Sequence, residues 1–393
     1  MRISYQYRLR PNKQQKENIN KTLDLLRCQY NYQLAQRFDW YEQNRCSVDR
    51  CLINICHLPQ LKENPNYYTQ KASLKQLKID RPWYKEIHSQ VLQEVSKKVE
   101  KTFERWLKGD ERGKKSGRPR FKGVGRYRTF TYPQFKQHHF AGNRIKLSKI
   151  GDVKVIVHRP IPVGFAIKTV SVTQKVGSYY VTLSLDNKTV PTVKPDFDPN
   201  KIVGIDVGLI DFYVASDETR IAAPKHLRSA EKKLKSAHRK VSRRVRGSNR
   251  RNKAIKKLAR QHQKVADTRR DFHFKTAKKL LDRYDVIAVE KLNIKGLSRT
   301  RLAKSVHDAG WEQFINILSF KAENAGLKVI AVNPNGTSQE CFSCGHKVKK
   351  SLSQRKHDCP VCHASLCRDL NAAINIRNRA VGHLVLKARS MSS

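Results

Sequence analysis

Residues 2–9 alternate polar and apolar, with Ile3, Tyr5, Tyr7 and Leu9 on one side. A period of two predicts a β-strand, and Pro11 ends it. From about Lys13 to Tyr41 the apolar positions (Ile19, Leu23, Leu26, Tyr30, Leu34, Phe38) instead fall three and four apart, as they do again from Ser89 to Trp106 (Val91, Val95, Val99, Phe103, Trp106). Both stretches predict amphipathic helices. Short strand patterns follow at Thr129–Tyr132, Arg144–Leu147, Val153–Val157, Thr169–Lys175 and Ser178–Leu185, the last two joined as a hairpin by a turn at Gly177-Ser178. With the N-terminal strand they suggest a small barrel. Pro191, Pro195 and Pro199 mark a linker at 191–200.

Beyond the linker the pattern predicts strands at Lys201–Gly208, Ile210–Ser216 and Thr219–Ala223. Residues 226–283 read as helix, broken at Gly247-Ser-Asn249, so two antiparallel helices are expected. A strand (Asp285–Glu290), a helix (about Asp308–Ala325), a strand (Lys328–Val332), a cysteine-rich segment and a helix (about Leu370–Arg379) complete the chain. No internal repeat is visible.

Charge changes the picture most. The 393 residues include 81 Lys and Arg against 33 Asp and Glu, a formal net charge of +48. Such self-repulsion implies a polyanionic partner, foremost nucleic acid. The basic residues run the length of the chain instead of forming one amphipathic segment, which disfavours a membrane surface. No run of 18 apolar residues exists, so no transmembrane helix is expected, and the basic N-terminus lacks a signal core. The expected location is the cytoplasm or nucleoid of a bacterium. The two helices of 226–283 carry 22 Lys and Arg against 4 Asp and Glu, too one-sided for pairing within the helices, which favours a nucleic-acid surface. Basic residues interleave with aromatics at Arg118, Arg120, Phe121 and Lys122, and at Arg126, Tyr127 and Arg128. Such stretches hold phosphates and stack bases.

Three acids stand where acids are costly. Asp206 closes the apolar strand Ile202-Val-Gly-Ile-Asp, and Glu290 closes Val286-Ile-Ala-Val-Glu. A buried carboxylate needs compensation, which a divalent cation provides. Asp369 begins the C-terminal helix, where an N-cap is the plainer reading of that residue alone. Taken as a set, the three suit a two-metal phosphodiesterase site holding Mg²⁺ or Mn²⁺. The cysteine segment is more specific: Cys341-Phe-Ser-Cys344, fourteen residues, then Cys359-Pro-Val-Cys362 has the spacing of a structural four-cysteine Zn²⁺ ribbon. His346, His357 and His363 flank it and are not read as ligands. Cys28, Cys46, Cys51, Cys56 and Cys367 lack a ligand-like pairing.

The segments Gly204-Ile-Asp-Val-Gly208, Tyr284-Asp-Val-Ile-Ala-Val-Glu-Lys-Leu-Asn293, Asn333-Pro-Asn-Gly-Thr-Ser-Gln-Glu-Cys-Phe-Ser-Cys-Gly345 and Arg368-Asp-Leu-Asn-Ala-Ala373 resemble the TnpB (OrfB) family of transposon-encoded RNA-guided nucleases related to type V CRISPR effectors. Tyr7-Arg-Leu-Arg-Pro11, Tyr30-Asn31 and Gly117-Arg-Pro-Arg-Phe-Lys122 resemble its N-terminal region. The resemblance implies an α+β multidomain chain: a wedge-like β-barrel (1–11 and 117–190) with a helical recognition insert (12–116), then the linker. A RuvC-like nuclease domain of RNase H fold (201–335 and 364–382) follows, carrying a zinc ribbon (336–363) and a C-terminal tail (383–393). It implies catalytic, magnesium-binding Asp206, Glu290 and Asp369, zinc on Cys341, Cys344, Cys359 and Cys362, a noncoding guide RNA and a double-stranded DNA target. The family usually has Asp-Arg-Asp before the last helix, and Cys367 stands at the first of these. A transposase and a non-cleaving regulator are the alternatives.

Overall fold

The computed structural model describes residues 2–45, 63–111, 113–187, 198–351 and 354–391. Most of the expected linker, and Cys46, Cys51 and Cys56, lie outside these. The chain divides into two compact units, Met1–Lys188 and Thr189–Ser393.

The first unit opens with β1 (Arg2–Arg10), then α1 (Lys13–Arg45), α2 (Tyr67–Ala72), α3 (Leu74–Asp80) and α4 (Ser89–Leu107). Asn12 caps α1: its Oδ1 accepts the Gln15 amide at 2.8 Å while Gln15 Oε1 accepts the Asn12 amide, so two amides that would lack partners find them. The expected stripe on α1 is buried from Ile19 to Phe38, and α4 buries Val91, Val95, Val99 and Phe103 against it. The strands β2 (Thr129–Tyr132), β3 (Phe140–Ala141), β4 (Arg144–Leu147), β5 (Gly151–Ile156), β6 (Ala166–Lys175) and β7 (Ser178–Asp186) join β1 in one antiparallel sheet, ordered β2-β6-β7-β1-β5-β4-β3. Among the described residues the sheet has seven strands, β3 being the one the pattern missed. The end strands β2 and β3 share no ladder among the described residues. The β6–β7 turn is Val176-Gly177, at φ 51° and 79°, with Lys175 paired to Ser178. This moves the expected turn back by one residue, because a two-residue hairpin loop of this type needs positive φ at both central positions.

The second unit is built on five strands: β8 (Ile202–Val207), β9 (Asp211–Ala215), β10 (Arg220–Ala222), β11 (Val286–Glu290) and β12 (Lys328–Val332), ordered β10-β9-β8-β11-β12. The ladders of β8 with β9 and of β9 with β10 are antiparallel, and those of β8 with β11 and β11 with β12 are parallel. Between them run α5 (His226–Ser242) and α6 (Asn249–Leu281), then α7 (Ile294–Leu297), α8 (Ala303–Ala309) and α9 (Trp311–Asn324). The single helix expected from Asp308 is two, because Gly310 turns left-handed at φ 65° and ends α8. β13 (Lys356–Asp358) and β14 (Ser365–Cys367) form a small hairpin that runs directly into α10 (Arg368–Met391). Val203, Ile205, Ile287 and Val289 face one layer with Ala277, Leu280, Phe314 and Leu318. Ala288 and Val332 face α10 through Ile376 and Ala380. A sheet covered on both sides explains why β8 and β11 are nearly unbroken apolar runs. Among the described residues no helix is long and apolar enough to cross a membrane.

Candidate functional site

β8 and β11 pair in register up to Ile205 with Val289. The next residues, Asp206 and Glu290, therefore stand at the same sheet edge on strands about 4.8 Å apart. Side chains alternate along a strand, so Asp206 shares a face with Gly204 and Glu290 with Ala288. That face is covered by α10. A Cβ on Gly204 would lie 2.1 Å from the Ala373 carbonyl oxygen and 2.5 Å from the Arg377 amide nitrogen, an approach only glycine permits. Asp369 lies in the first turn of α10. Three acids separated by up to 163 positions along the chain are thus brought to one edge of one sheet.

The electrostatics follow. Burial holds the Asp206 carboxyl well above its ordinary range, and Glu290 and Asp369 raise it further while Arg368 and Arg355 oppose them. Glu290 is also raised by burial, against the hydrogen bond from Thr337 and the charge of Arg379. The Thr337 hydroxyl donates to Glu290 Oε1 at 2.5 Å. Asp369 is flanked by Arg368 Nε at 3.4 Å and Arg355 Nη1 at 3.7 Å. Carboxylates crowded at a buried sheet edge make a site that a hard cation would relieve.

The cysteine segment folds into two matching knuckles. The Gly345 amide donates to the Cys341 carbonyl and the His363 amide to that of Cys359. Both donors have positive φ, 75° and 60°. His363 is thereby a turn residue. The sulfurs of Cys341, Cys344, Cys359 and Cys362 all lie within 4.8 Å of one another, the closest pairs at 3.5 and 3.6 Å. A tetrahedron with Zn–S near 2.3 Å has edges of about 3.8 Å, so the set fits zinc. His357 is fully buried and contacts Lys350 Nζ. Cys367 ends β14 opposite Lys356, outside the four-sulfur cluster.

Two residues that sequence reasoning did not single out join the cluster to the acids. Asn371 of α10 accepts the Phe342 amide at 3.0 Å and donates to the Glu340 carbonyl at 2.7 Å. Asn375, one turn on, donates to the Thr337 carbonyl at 2.9 Å. The segment that delivers Thr337 to Glu290 is therefore tied to the helix that carries Asp369. The available signal was two asparagines four apart in an otherwise apolar helical stretch, since buried amides of this kind are there to be satisfied. Arg379 adds Nη1 to the Asn333 carbonyl at 2.6 Å and Nη2 to Glu340 at 2.5 Å.

In the first unit the basic loop is held on α1 and α4. Arg118 pairs with Glu42 and lies over the Phe38 ring at 4.4 Å, and the Lys122 amide donates to Asn31 Oδ1 at 2.7 Å. Arg120, Arg126, Arg128 and Phe121 are exposed. Tyr127 is not: it is 6% exposed and packs on Tyr30, so it is a core residue with no free face for a base. This corrects the stacking expectation at that position: the ring is covered by Tyr30 of α1 and by the Lys98 ammonium of α4, 4.8 Å from its centroid. In the second unit the α5–α6 hairpin has a groove of about 620 Å³ lined by Lys232, Lys240, Arg244, Arg250, Lys253 and Lys257, among others.

Three family models match the chain: "Probable transposase" over residues 183–301, "Cas12f1-like, TNB domain" over 311–376, and "Helix-turn-helix domain" over 1–46. The chain is 28% identical to the "Putative RNA-guided DNA endonuclease InsQ" of Escherichia coli, over 79% of this chain and 78% of that one. It is also 28% identical to a protein of the same general description from Streptomyces pristinaespiralis, over 95% of this chain and 88% of that one. A solved structure, "Cryo-EM structure of the Cas12f1-sgRNA-target DNA complex", aligns over 97% of this chain and 99% of that one, with 14% identity and a TM-score of 0.49.

Proposed function

We propose that this chain, a relative of the TnpB (OrfB) proteins and of type V effectors, is an RNA-guided DNA endonuclease encoded by a transposable element. The observation that carries the reading is the convergence of Asp206, Glu290 and Asp369 at one sheet edge, inside a chain of net charge +48. The strand order of the second unit, three antiparallel strands extended by two parallel ones, supports a RuvC-type nuclease domain for it.

Asp206, Glu290 and Asp369 would hold Mg²⁺ or Mn²⁺, which supplies water activation and stabilisation of the leaving oxygen in an in-line phosphodiester displacement. The chain's own residues arrange that chemistry. Thr337 fixes one Glu290 oxygen. Arg368 and Arg355 hold Asp369 in place, and as cations beside the acids they would favour a phosphate there. Cys341, Cys344, Cys359 and Cys362 would hold a structural Zn²⁺, with no position open for chemistry. The guide RNA would lie on the basic surfaces, including the α5–α6 groove and the exposed cations of loop 112–128, and read one DNA strand by pairing. The remaining division of the first unit, a wedge-like barrel (1–11 and 117–190) around a recognition insert (12–116), is part of the same proposal.

The test is Asp206→Ala in protein purified with its RNA. The reading expects cleavage to vanish while RNA and DNA binding stay near wild type. Cleavage at the wild-type rate would remove the acid triad from the mechanism. Strand-transfer products from the wild-type chain would favour a transposase instead.

A further inference from the structure

The α5–α6 hairpin carries a histidine pair that neither the acids nor the cysteines use. Its apolar seam runs through Leu234 and Val241 on α5 and through Leu258 and Val265 on α6, at three- and four-residue spacing. His238 and His262 occupy the intervening positions, where the stripe would place an apolar side chain. Their Nε2 atoms face each other across the seam at 3.3 Å, with ring centroids 5.5 Å apart and planes inclined by 78°.

Two arrangements bring imidazole nitrogens together: one shared N–H, or one metal ion between two lone pairs. The separation is long beside the roughly 2.9–3.0 Å at which N–H donors commonly stand from oxygen acceptors. It matches the edge of a tetrahedral zinc site, where Zn–N of about 2.0–2.1 Å puts ligand nitrogens about 3.3–3.4 Å apart. Both rings are exposed, which leaves room for an ion to enter and for water to complete its shell. Lys235, a turn before His238, is already paired with Glu231 at 3.0 Å. The other cations of the hairpin weaken binding of a dication without blocking it, so the site is weaker than four thiolates.

We propose that His238 and His262 form a two-histidine site for a divalent transition metal, zinc by its coordination geometry, that staples the two basic helices together. The ion crosslinks α5 to α6 and stiffens the surface offered to nucleic acid. The site does not depend on the nuclease reading.

The experiment titrates ZnCl₂ by calorimetry into the full chain already holding one equivalent of zinc at its cysteines, near neutral pH. The wild type takes up a second, saturable equivalent, and amide exchange in α5 and α6 slows on its addition. Losing an outer-shell partner alone costs about 10–100-fold in metal affinity, so His238→Ala and His262→Ala should each lose no less. His238→Gln, which keeps a hydrogen-bonding side chain, should lose the second equivalent too while melting like wild type. Absence of a second equivalent in the wild type, or an equal second equivalent in the three variants, overturns the proposal.

Discussion

Replacing Gly204 by alanine tests the contact on which the acid site rests. The new Cβ would lie 2.1 Å from the Ala373 carbonyl oxygen and 2.5 Å from the Arg377 amide nitrogen, where ordinary contact begins near 3.4 Å. Both obstacles are helix backbone and cannot rotate aside, so α10 has to retreat by roughly 1 Å or buckle. Overpacking of this kind costs about 1–3 kcal/mol. For a domain of this size that lowers the melting temperature by about 2–12 °C. The effect on rate should be larger than the effect on stability. Asp369 rides on the displaced helix, and a misplacement of about 1 Å can cost about 100-fold. Single-turnover cleavage by RNA-loaded protein, with calorimetric melting alongside, reads both. Gly382→Ala is the control: it lies on the same helix, its Cβ would meet nothing within 4 Å, and it should be neutral or mildly stabilising. A Gly204→Ala protein that melts and cuts like wild type would refute the close approach and, with it, the placement of Asp369 by α10.

Asp206→Asn should stabilise the metal-free chain at pH 7. A carboxyl whose folded pKa lies above its ordinary 3.8 contributes stability that is full below that value and lost as pH rises through the folded pKa. The melting gain should therefore be present at neutral pH and vanish near pH 3.8, and a gain that grew on acidification would contradict the sign. Thr337→Val should slow cleavage at fixed Mg²⁺, with part of the loss recovered at higher Mg²⁺, because Glu290 loses its orienting partner. Asn371→Leu leaves the Phe342 amide without its partner, while the Glu340 carbonyl keeps Asn375, so it should cost about 1–3 kcal/mol by denaturant melting. Cys359→Ser should lower bound zinc below one equivalent by metal analysis and loosen residues 337–342 by amide exchange.

Much of this was legible from spacing alone. The α1 stripe is buried residue for residue, and the α4 stripe up to Phe103, with Trp106 part-buried against it, because a long helix with one apolar face has one way to pack. The strands Thr129–Tyr132, Arg144–Leu147 and Lys328–Val332 begin and end where the alternation does. What spacing could not reveal depends on a second chain segment. Nothing local to Gly204 announces that α10 sits on it, and nothing local to Thr337 announces Glu290. Tyr127 looked like a base-stacking residue because its neighbours are arginines, yet its ring points into the core at Tyr30. The break at Gly310 was hidden by apolar residues on both sides that continue the helical period. The strand β3 has two residues, too few for any periodicity to register.

The central claim is that an RNA chooses where this chain cuts. The direct measurement is to purify the chain with its RNA, replace the guide segment, and map cleavage on a DNA carrying matches to both guides beside the same flanking motif. The account predicts that the cut moves with the guide, needs Mg²⁺ or Mn²⁺, and is absent from protein stripped of RNA. Efficient cutting at one unchanged site, with either guide or with none, would contradict it.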